Sequence, residues 1–251
     1  MAQDVEADRW TRRFHPVPDA PVRLVCFPHA GGSASAYVAL SERFGPQVEV
    51  VSIQYPGRQD RRKEPLLPSV AAIADAVLEP VLGCADRPIA LFGHSMGASV
   101  AFEVAARLEA RSVYPLALFA SGRRAPSRHR DERVHTLDDS ALVAEMKRLA
   151  GTDARVLADE EIVRMILPEV RGDYRAAETY RWQPAAPLRT AIHVHIGQTD
   201  PKVSLDEAEA WRDHTVGEFS LTTYPGGHFY LNDQLSPMVR SMTAAIREDL
   251  R

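Results

Sequence analysis

The sequence has few of the features that mark secreted, membrane-spanning or nucleic-acid-binding proteins. Its two cysteines, Cys26 and Cys84, are too few for a disulfide framework. The N-terminus lacks the apolar core of a signal peptide, and no run of about 18 apolar residues predicts a membrane span. A formal net charge of −4 gives no reason to expect nucleic acid as a partner. We therefore expect a cytoplasmic globular protein.

Short apolar runs alternate along the chain with longer helical patterns. The runs predict strands at 22–28, 48–54, 88–92, 114–121, 191–197 and 218–224. Apolar residues at three- and four-residue spacings predict helices at 70–82, 98–110, 206–214 and 234–250. Because nearly continuous apolar runs suit strands buried on both faces, we predict a mostly parallel central sheet with helices on both faces. The length of 251 residues fits a single α/β domain, 1–251.

The segment between Ser121 and Ala191 interrupts this alternation because it contains no clear strand. Its helical signals are a capping-box pattern at 136–139, an apolar stripe through 142, 143, 146 and 149 that stops at Gly151, and two further patterns at 162–168 and 172–180. We interpret 123–187 as a helical lid inserted into the sheet domain. A separate domain is the alternative, but both flanks return to the strand–helix rhythm.

The sharpest local signal is the sequence Gly93-His94-Ser95-Met96-Gly97, which lies between a predicted strand and a predicted helix. This is the context of the G-x-S-x-G nucleophile elbow of the α/β-hydrolase fold, where a tight turn projects the serine hydroxyl above the sheet. A β-carbon on either glycine would collide with the neighbouring strand or helix. We therefore predict Ser95 as a catalytic nucleophile.

A nucleophilic serine requires a general base and an acid that orients the base. In this fold the chain order is serine, acid, histidine. His228 follows a predicted strand and two glycines, which let the loop bend back over the sheet, whereas His214 falls within a helical pattern and reads as a surface residue. Asp200 lies just past an earlier strand. We predict His228 as the base and Asp200 as its partner.

Two backbone N–H groups should form the oxyanion hole. One belongs to Met96, the residue after the nucleophile, and we assign the other to Ala30, with Gly31 as the alternative. The adjacent His29 is interpreted as structural. His193 and His195 share a strand face, but without further ligands at a convincing spacing we predict no metal site.

Taken together, these motifs resemble the type II thioesterases that accompany polyketide synthases and nonribosomal peptide synthetases. The resemblance spans roughly residues 20–245 and rests on the segments FPHAGG (27–32), YPGR (55–58), GHSMG (93–97), LPEVRGDY (167–174), WRDHT (211–215) and GGHFYL (226–231). It implies an enzyme that removes unwanted acyl groups from the phosphopantetheine arm of an acyl or peptidyl carrier protein. It implies no cofactor of its own, because the carrier brings the phosphopantetheine. Since the first predicted core strand starts near Val22, we expect a stand-alone enzyme rather than a domain fused behind a carrier.

Other interpretations remain open from the sequence. A serine esterase, a lipase or a fatty-acyl thioesterase shares the same triad, and a non-catalytic binding protein is disfavoured because it needs no triad. Two basic clusters either guide docking of an acidic carrier or are solvated loop charges. The first comprises Arg58, Arg61, Arg62 and Lys63, and the second Arg123, Arg124, Arg128 and Arg130.

Overall fold

The computed structural model describes residues 9–149, 151 and 157–250. The described residues form one sheet in the order β1-β3-β2-β4-β5-β6-β7. Its strands are β1 (Thr11–Arg12), β2 (Val22–Phe27), β3 (Val48–Ile53), β4 (Ile89–His94), β5 (Ala117–Ser121), β6 (Ala191–Gly197) and β7 (Phe219–Tyr224). Strands β2 to β7 pair in parallel, and β1 joins β3 in the antiparallel direction. The prediction of a mostly parallel α/β-hydrolase sheet is confirmed.

Helices cover both faces of the sheet. They are α1 (Val38–Arg43), α2 (Val70–Leu82), α3 (Met96–Glu109), α4 (Asp139–Leu149), α5 (Glu160–Thr179), α6 (Leu205–Glu209) and α7 (Leu235–Asp249). One apolar layer packs α2 and α3 against the sheet, and a second packs α1 and α7 against the other face. Strands β3, β4, β5 and β6 are buried along their whole length, which explains why their sequences do not alternate.

Several elements differ from the sequence predictions. Strand β1 was not predicted, because two residues at a sheet edge carry no periodic signal. Strand β5 starts at Ala117 rather than 114, because the turn that ends α3 extends further along the chain than predicted. In this turn Ser112 has φ 61°, and the Val113 N–H donates back to Leu108 O at 3.0 Å. The predicted helix at 206–214 divides into α6 and a 3₁₀ turn at Ala210–His214.

Between β5 and β6 the described residues contain helices α4 and α5 and a 3₁₀ turn at Val134–Thr136, joined by irregular segments. The capping-box prediction at 136–139 was wrong, because Thr136 Oγ1 donates to Arg133 O while Asp138 Oδ1 accepts from Ala141 N at 2.8 Å. The two patterns at 162–168 and 172–180 are one helix, α5, which continues through Pro168. Val163, Leu167 and Val170 pack α5 against the apolar face of α4, and this packing offsets the hydrogen bond that proline cannot donate.

Within the described residues, none of the helices is both long enough and apolar enough to cross a membrane.

The turn between β4 and α3 is packed backbone against backbone. A β-carbon placed on Gly97 would lie 2.0 Å from the carbonyl oxygen of Phe27, and one on Gly93 would lie 2.1 Å from the oxygen of Gly97. Since these neighbours are main-chain atoms in β2 and α3, they have no rotamer with which to withdraw. The glycines expected from the sequence therefore occupy positions where no larger residue fits.

We expect Gly97→Ala to lower the free energy of unfolding by about 3 kcal/mol, because strand β2 and helix α3 must separate to admit the methyl group. Gly45→Ala is the matched control, since a β-carbon there meets nothing within 4 Å, and it should change stability by less than about 0.5 kcal/mol. Urea denaturation measures both variants. Equal stability of the two would show that the turn relaxes without cost.

Candidate active site

Ser95 lies at the turn between β4 and α3 in a strained backbone conformation, with φ 55° and ψ −118°. A side chain larger than hydrogen rarely occupies positive φ, and such strain is held only where the surrounding structure determines it. Here the Ser95 N–H donates to Ser121 O at 2.8 Å, which ties the turn to the end of β5. The hydroxyl is thereby directed away from the sheet, at the N-terminus of α3.

His228 and Asp200 complete a continuous chain of hydrogen bonds to this serine. Ser95 Oγ lies 3.0 Å from His228 Nε2, and His228 Nδ1 lies 2.9 Å from Asp200 Oδ2. Because an ionised carboxylate only accepts, the arrangement favours the tautomer with the proton on Nδ1, leaving Nε2 to accept from the serine. The Lys202 N–H donates to Asp200 Oδ1 at 2.8 Å and holds the carboxylate in place.

The loops that carry the acid and the histidine follow neighbouring strands and are in direct contact. The Thr199 N–H donates to Gly226 O at 3.0 Å. A β-carbon on Gly197 would lie 2.1 Å from the oxygen of Gly227. The close approach of two backbones at the ends of β6 and β7 thus sets the distance between Asp200 and His228.

The two amides predicted for the oxyanion hole are free to bind a ligand. Among the described residues, neither the Met96 N–H nor the Ala30 N–H donates a hydrogen bond. The Gly31 N–H, which was the alternative, is instead committed to Asp173 Oδ2 at 2.7 Å. This leaves Ala30 and Met96 as the pair that could face an oxyanion above Ser95.

A buried ion pair fixes the loop that contains Ala30 and was missed by the sequence analysis. Arg58 donates to Asp173 of helix α5, and the same carboxylate oxygen accepts from Gly31 N. Arg58 and Asp173 are each about 3% exposed, and Glu169 lies 3.2 Å from Arg58 Nε. Because Arg58 also donates to Pro56 O at 2.9 Å, the ion pair connects three segments: the YPGR loop, helix α5 and the loop after β2 that carries Ala30. The motifs at 55–58 and 167–174 are visible in the sequence, but the contact between them depends on the tertiary structure.

Two further histidines lie beside the triad and are held neutral. Burial lowers the pKa of His29 to about 4, with smaller contributions from His228 and Arg58. Burial likewise lowers the pKa of His94 well below its usual value, with contributions from His228 and His29. His94 Nδ1 pairs with Ser121 Oγ at 2.9 Å, and its ring centroid lies 4.9 Å from that of His228. Neutral rings pack against the base without adding a competing positive charge.

A narrow cleft opens over Ser95 beneath helices α4 and α5. It consists of two adjoining cavities of about 50 and 60 Å³. The first contains Ser95 and His228 together with charged residues, and the second has a mostly apolar lining. Both cavities touch the same five residues, His29, Ala30, Leu149, Tyr174 and Phe229.

Several residues noted in the sequence have other roles. His193 pairs with Ser220 at 2.7 Å and His195 with Tyr224 at 2.9 Å, and the described residues hold no group of three metal-binding side chains. The interpretation of His214 as a surface residue was wrong. It is 3% exposed and pairs with Ser127 Oγ at 2.9 Å, because the 3₁₀ turn directs it inward among aromatic rings.

The interpretation of the two basic clusters as exposed charges was wrong for four members. Arg58, Arg61 and Arg124 are buried, since each has a carboxylate partner within the fold. Arg130 is paired with Glu207 at 2.5 Å. Spacing in the sequence shows where charges concentrate, but not which of them are neutralised.

A serine–histidine–aspartate chain at a strand–helix turn of a parallel sheet is the arrangement of a serine hydrolase with the α/β-hydrolase fold. Comparison with known families identifies the class more closely, because the Thioesterase domain family matches residues 22–246. The chain belongs to the thioesterase family.

Individual relatives and structural neighbours are thioesterases, among them a type II thioesterase of a biosynthetic cluster. The chain is 54% identical over 235 residues to thioesterase PikA5 of Streptomyces venezuelae, a match that covers 92% of this chain and 83% of that protein. It resembles the structure of the type II thioesterase BorB from the borrelidin biosynthetic cluster, with TM-score 0.90, 46% identity and coverage of 95% and 98%. The RedJ thioesterase of the prodiginine pathway in Streptomyces coelicolor has TM-score 0.87, 38% identity and coverage of 92% of each chain.

We expect Asp173→Ala to lower the free energy of unfolding by about 3 kcal/mol, because it leaves the Arg58 cation buried without its main partner. It should also lower kcat on a small acyl thioester, because the loop carrying Ala30 is released. Asp173→Asn keeps an oxygen for the Gly31 N–H and should retain more of kcat. Asp139→Ala, which removes the exposed partner of Arg171 in the same segment between β5 and β6, is the control. If it reduced kcat as strongly, the effect would be general to this segment.

Glu169 gives a prediction about pH. Burial raises its pKa from 4.5 to about 7, and Asp173 adds to the rise while Arg58 opposes it. Between these two pKa values the folded state retains a proton that the unfolded state has lost, so stability falls as the pH rises. The free energy of unfolding of the wild type should therefore equal that of Glu169→Gln near pH 4.5 and fall progressively below it up to about pH 7.

Chemical denaturation across this pH range measures the difference. The variant Glu209→Gln, which removes an exposed carboxylate from α6, subtracts the general effect of losing one negative charge. A Glu169→Gln variant that is less stable at every pH would mean that the ionised Glu169–Arg58 contact outweighs the cost of burial.

Proposed function

We propose that this chain hydrolyses aberrant or stalled acyl groups from the phosphopantetheine arm of an acyl or peptidyl carrier protein. The proposal includes a cytoplasmic location, together with the carrier proteins. Its family and its relatives, type II thioesterases of polyketide and nonribosomal peptide clusters, support the substrate class. The observation that carries the chemistry is the unbroken chain from Ser95 Oγ through His228 to Asp200, with steps of 3.0 and 2.9 Å.

The first half-reaction forms an acyl-enzyme. His228 Nε2 takes the proton of Ser95 as the hydroxyl oxygen attacks the thioester carbonyl. The N–H groups of Met96 and Ala30 stabilise the oxyanion, each such donor contributing about 3 kcal/mol. The carbon–sulfur bond then breaks, and the imidazolium gives its proton to the departing sulfur, which leaves as the free thiol of the arm.

The second half-reaction restores the enzyme. His228 removes a proton from water, the resulting hydroxide attacks the Ser95 ester, and the serine leaves with the proton from the imidazolium. Asp200 stabilises the imidazolium in both halves and remains ionised. These steps require no cofactor, since the arm arrives on the carrier.

We propose the segment 123–187 as a lid on the single domain 1–251, because the described part of it covers the cleft.

We expect faster hydrolysis of a short acyl group from a carrier protein than from a small thiol, measured as kcat/KM. Ser95→Ala should lower either rate by about four orders of magnitude or more, because the nucleophile is lost. Asp200→Asn should lower kcat by about four orders of magnitude, because the amide favours the wrong tautomer of His228.

The outcomes separate the parts of the proposal. Equal or slower use of the carrier, still dependent on Ser95, would leave a serine hydrolase without carrier recognition, and a preference for oxygen esters would favour an esterase. Activity that survives in Ser95→Ala would overturn the proposed nucleophile.

A further inference from the structure

Three arginines without a carboxylate partner meet at one pocket beside the cleft. This pocket, here called the arginine pocket, has a volume of about 150 Å³ and is lined by residues of 123–129 and 180–182. Arg123, Arg128 and Arg181 belong to it, and none of the three forms an ion pair with any described residue. Within the part of the chain that the structure describes, Arg123 donates only to Ala177 O at 3.0 Å, and Arg181 only to main-chain oxygens. An arginine cluster without an ion-pair partner among these residues is suited to an anion from outside.

The nearest carboxylates are already committed to other groups. Glu132 accepts from Arg124 and from Lys202 Nζ at 3.1 Å. Glu178 accepts from the Val134 and His135 N–H groups and from the His135 ring. Neither carboxylate forms an ion pair with Arg123, although the negative charges of Glu132 and Glu178 raise its pKa and partly offset the positive charge of the arginine pocket.

The charge of the pocket is felt by the groups within it. Burial, then the positive charge of Arg124, lowers the pKa of Arg123 to about 10. Burial also lowers the pKa of His129, and the neighbouring cations Arg181, Arg124 and Arg123 contribute in the same direction. A bound anion would oppose the part of both shifts that comes from the neighbouring cations.

The arginine pocket adjoins the proposed active site at Arg123. This residue lines both the pocket and the cavity that contains Ser95 and His228. The preceding residue, Gly122, lies so close to the base that a β-carbon there would be 3.4 Å from His228 Cε1. An extended substrate with an anionic group at one end and its reactive carbon at the other could therefore occupy both sites.

We propose that the arginine pocket binds the phosphodiester of the phosphopantetheine arm, with Arg123, Arg128 and Arg181 as donors. This rests on the proposed function and names the part of the substrate that is recognised. The planar guanidinium group matches two phosphate oxygens at once, which suits a cluster of arginines to a phosphodiester. The acyl end then enters the cleft beneath α4 and α5, while the phosphate stays at the solvent side.

The test compares two small thioester substrates with the same acyl group, acyl-phosphopantetheine and acyl-pantetheine, which differ only in the phosphate. For the wild type, kcat/KM should be about tenfold or more higher with the phosphate, the scale of one hydrogen bond to a charged group. The ratio should fall towards one in Arg128→Gln and in Arg181→Gln. Arg128 is exposed, so its substitution does not threaten the fold. Arg62→Gln, which removes an exposed charge outside the pocket, should keep the ratio.

Each result decides between the two proposals. A wild-type ratio near one, with hydrolysis that still depends on Ser95, would overturn the phosphate site and leave the thioesterase function intact. A high ratio that persists in Arg128→Gln and Arg181→Gln would place the phosphate elsewhere and also overturn it. Failure to hydrolyse either thioester would overturn the proposed function, and the phosphate site with it.

Discussion

Backbone contact at the turn between β4 and α3 is the constraint on which the rest of the site depends. Gly97 touches the main chain of β2 and Gly93 touches that of α3, so the helix starts directly against the sheet. No looser turn would hold Ser95 at positive φ, because the penalty for that conformation must be offset by surrounding contacts. The same tight packing brings the loop after β2, which carries Ala30, next to the helix N-terminus that carries Met96. One steric arrangement thus sets the positions of both the Ser95 hydroxyl and the two free amides.

The second constraint is electrostatic and links the catalytic loops to the helices above them. Arg58 and Asp173 are buried, and a lone charge in that position would cost several kcal/mol, so each residue requires the other. Because Asp173 also accepts from Gly31 N, helix α5 cannot shift far without disturbing the loop that carries Ala30 and Gly31. The cover of the cleft and the geometry beneath it are therefore coupled through one carboxylate. A movement of helix α5 over the cleft would therefore also move the backbone amides of the loop beneath it.

Local patterns were enough to predict the sheet, most helices and the order of the motifs, because apolar period and glycine spacing are properties of neighbouring residues. The positions of Ser95, Asp200 and His228 followed from a chain order that the fold imposes on strand ends. The Arg58–Asp173 contact could not be predicted in this way, since its partners are separated by 115 residues. His214 was misassigned because a helical pattern of charges hid a 3₁₀ turn that rotates the ring inward. The sequence also predicted two separate helices around Pro168, whereas the structure has one continuous helix, because tertiary packing outweighed the local effect of proline.

Charge shows most clearly how sequence and structure divide the information. Two basic clusters look alike in the sequence, yet the fold neutralises Arg58 and Arg61 with its own carboxylates. In the second cluster Arg124 and Arg130 are neutralised, but Arg123 and Arg128 are left without ion pairs among the described residues. Arg128 is exposed and solvated, but Arg123 is enclosed enough for burial to lower its pKa, and a buried cation without an ion-pair partner costs stability. These two arginines lie where the cleft of Ser95 meets the arginine pocket. This is the location at which a negatively charged substrate would supply the missing partner.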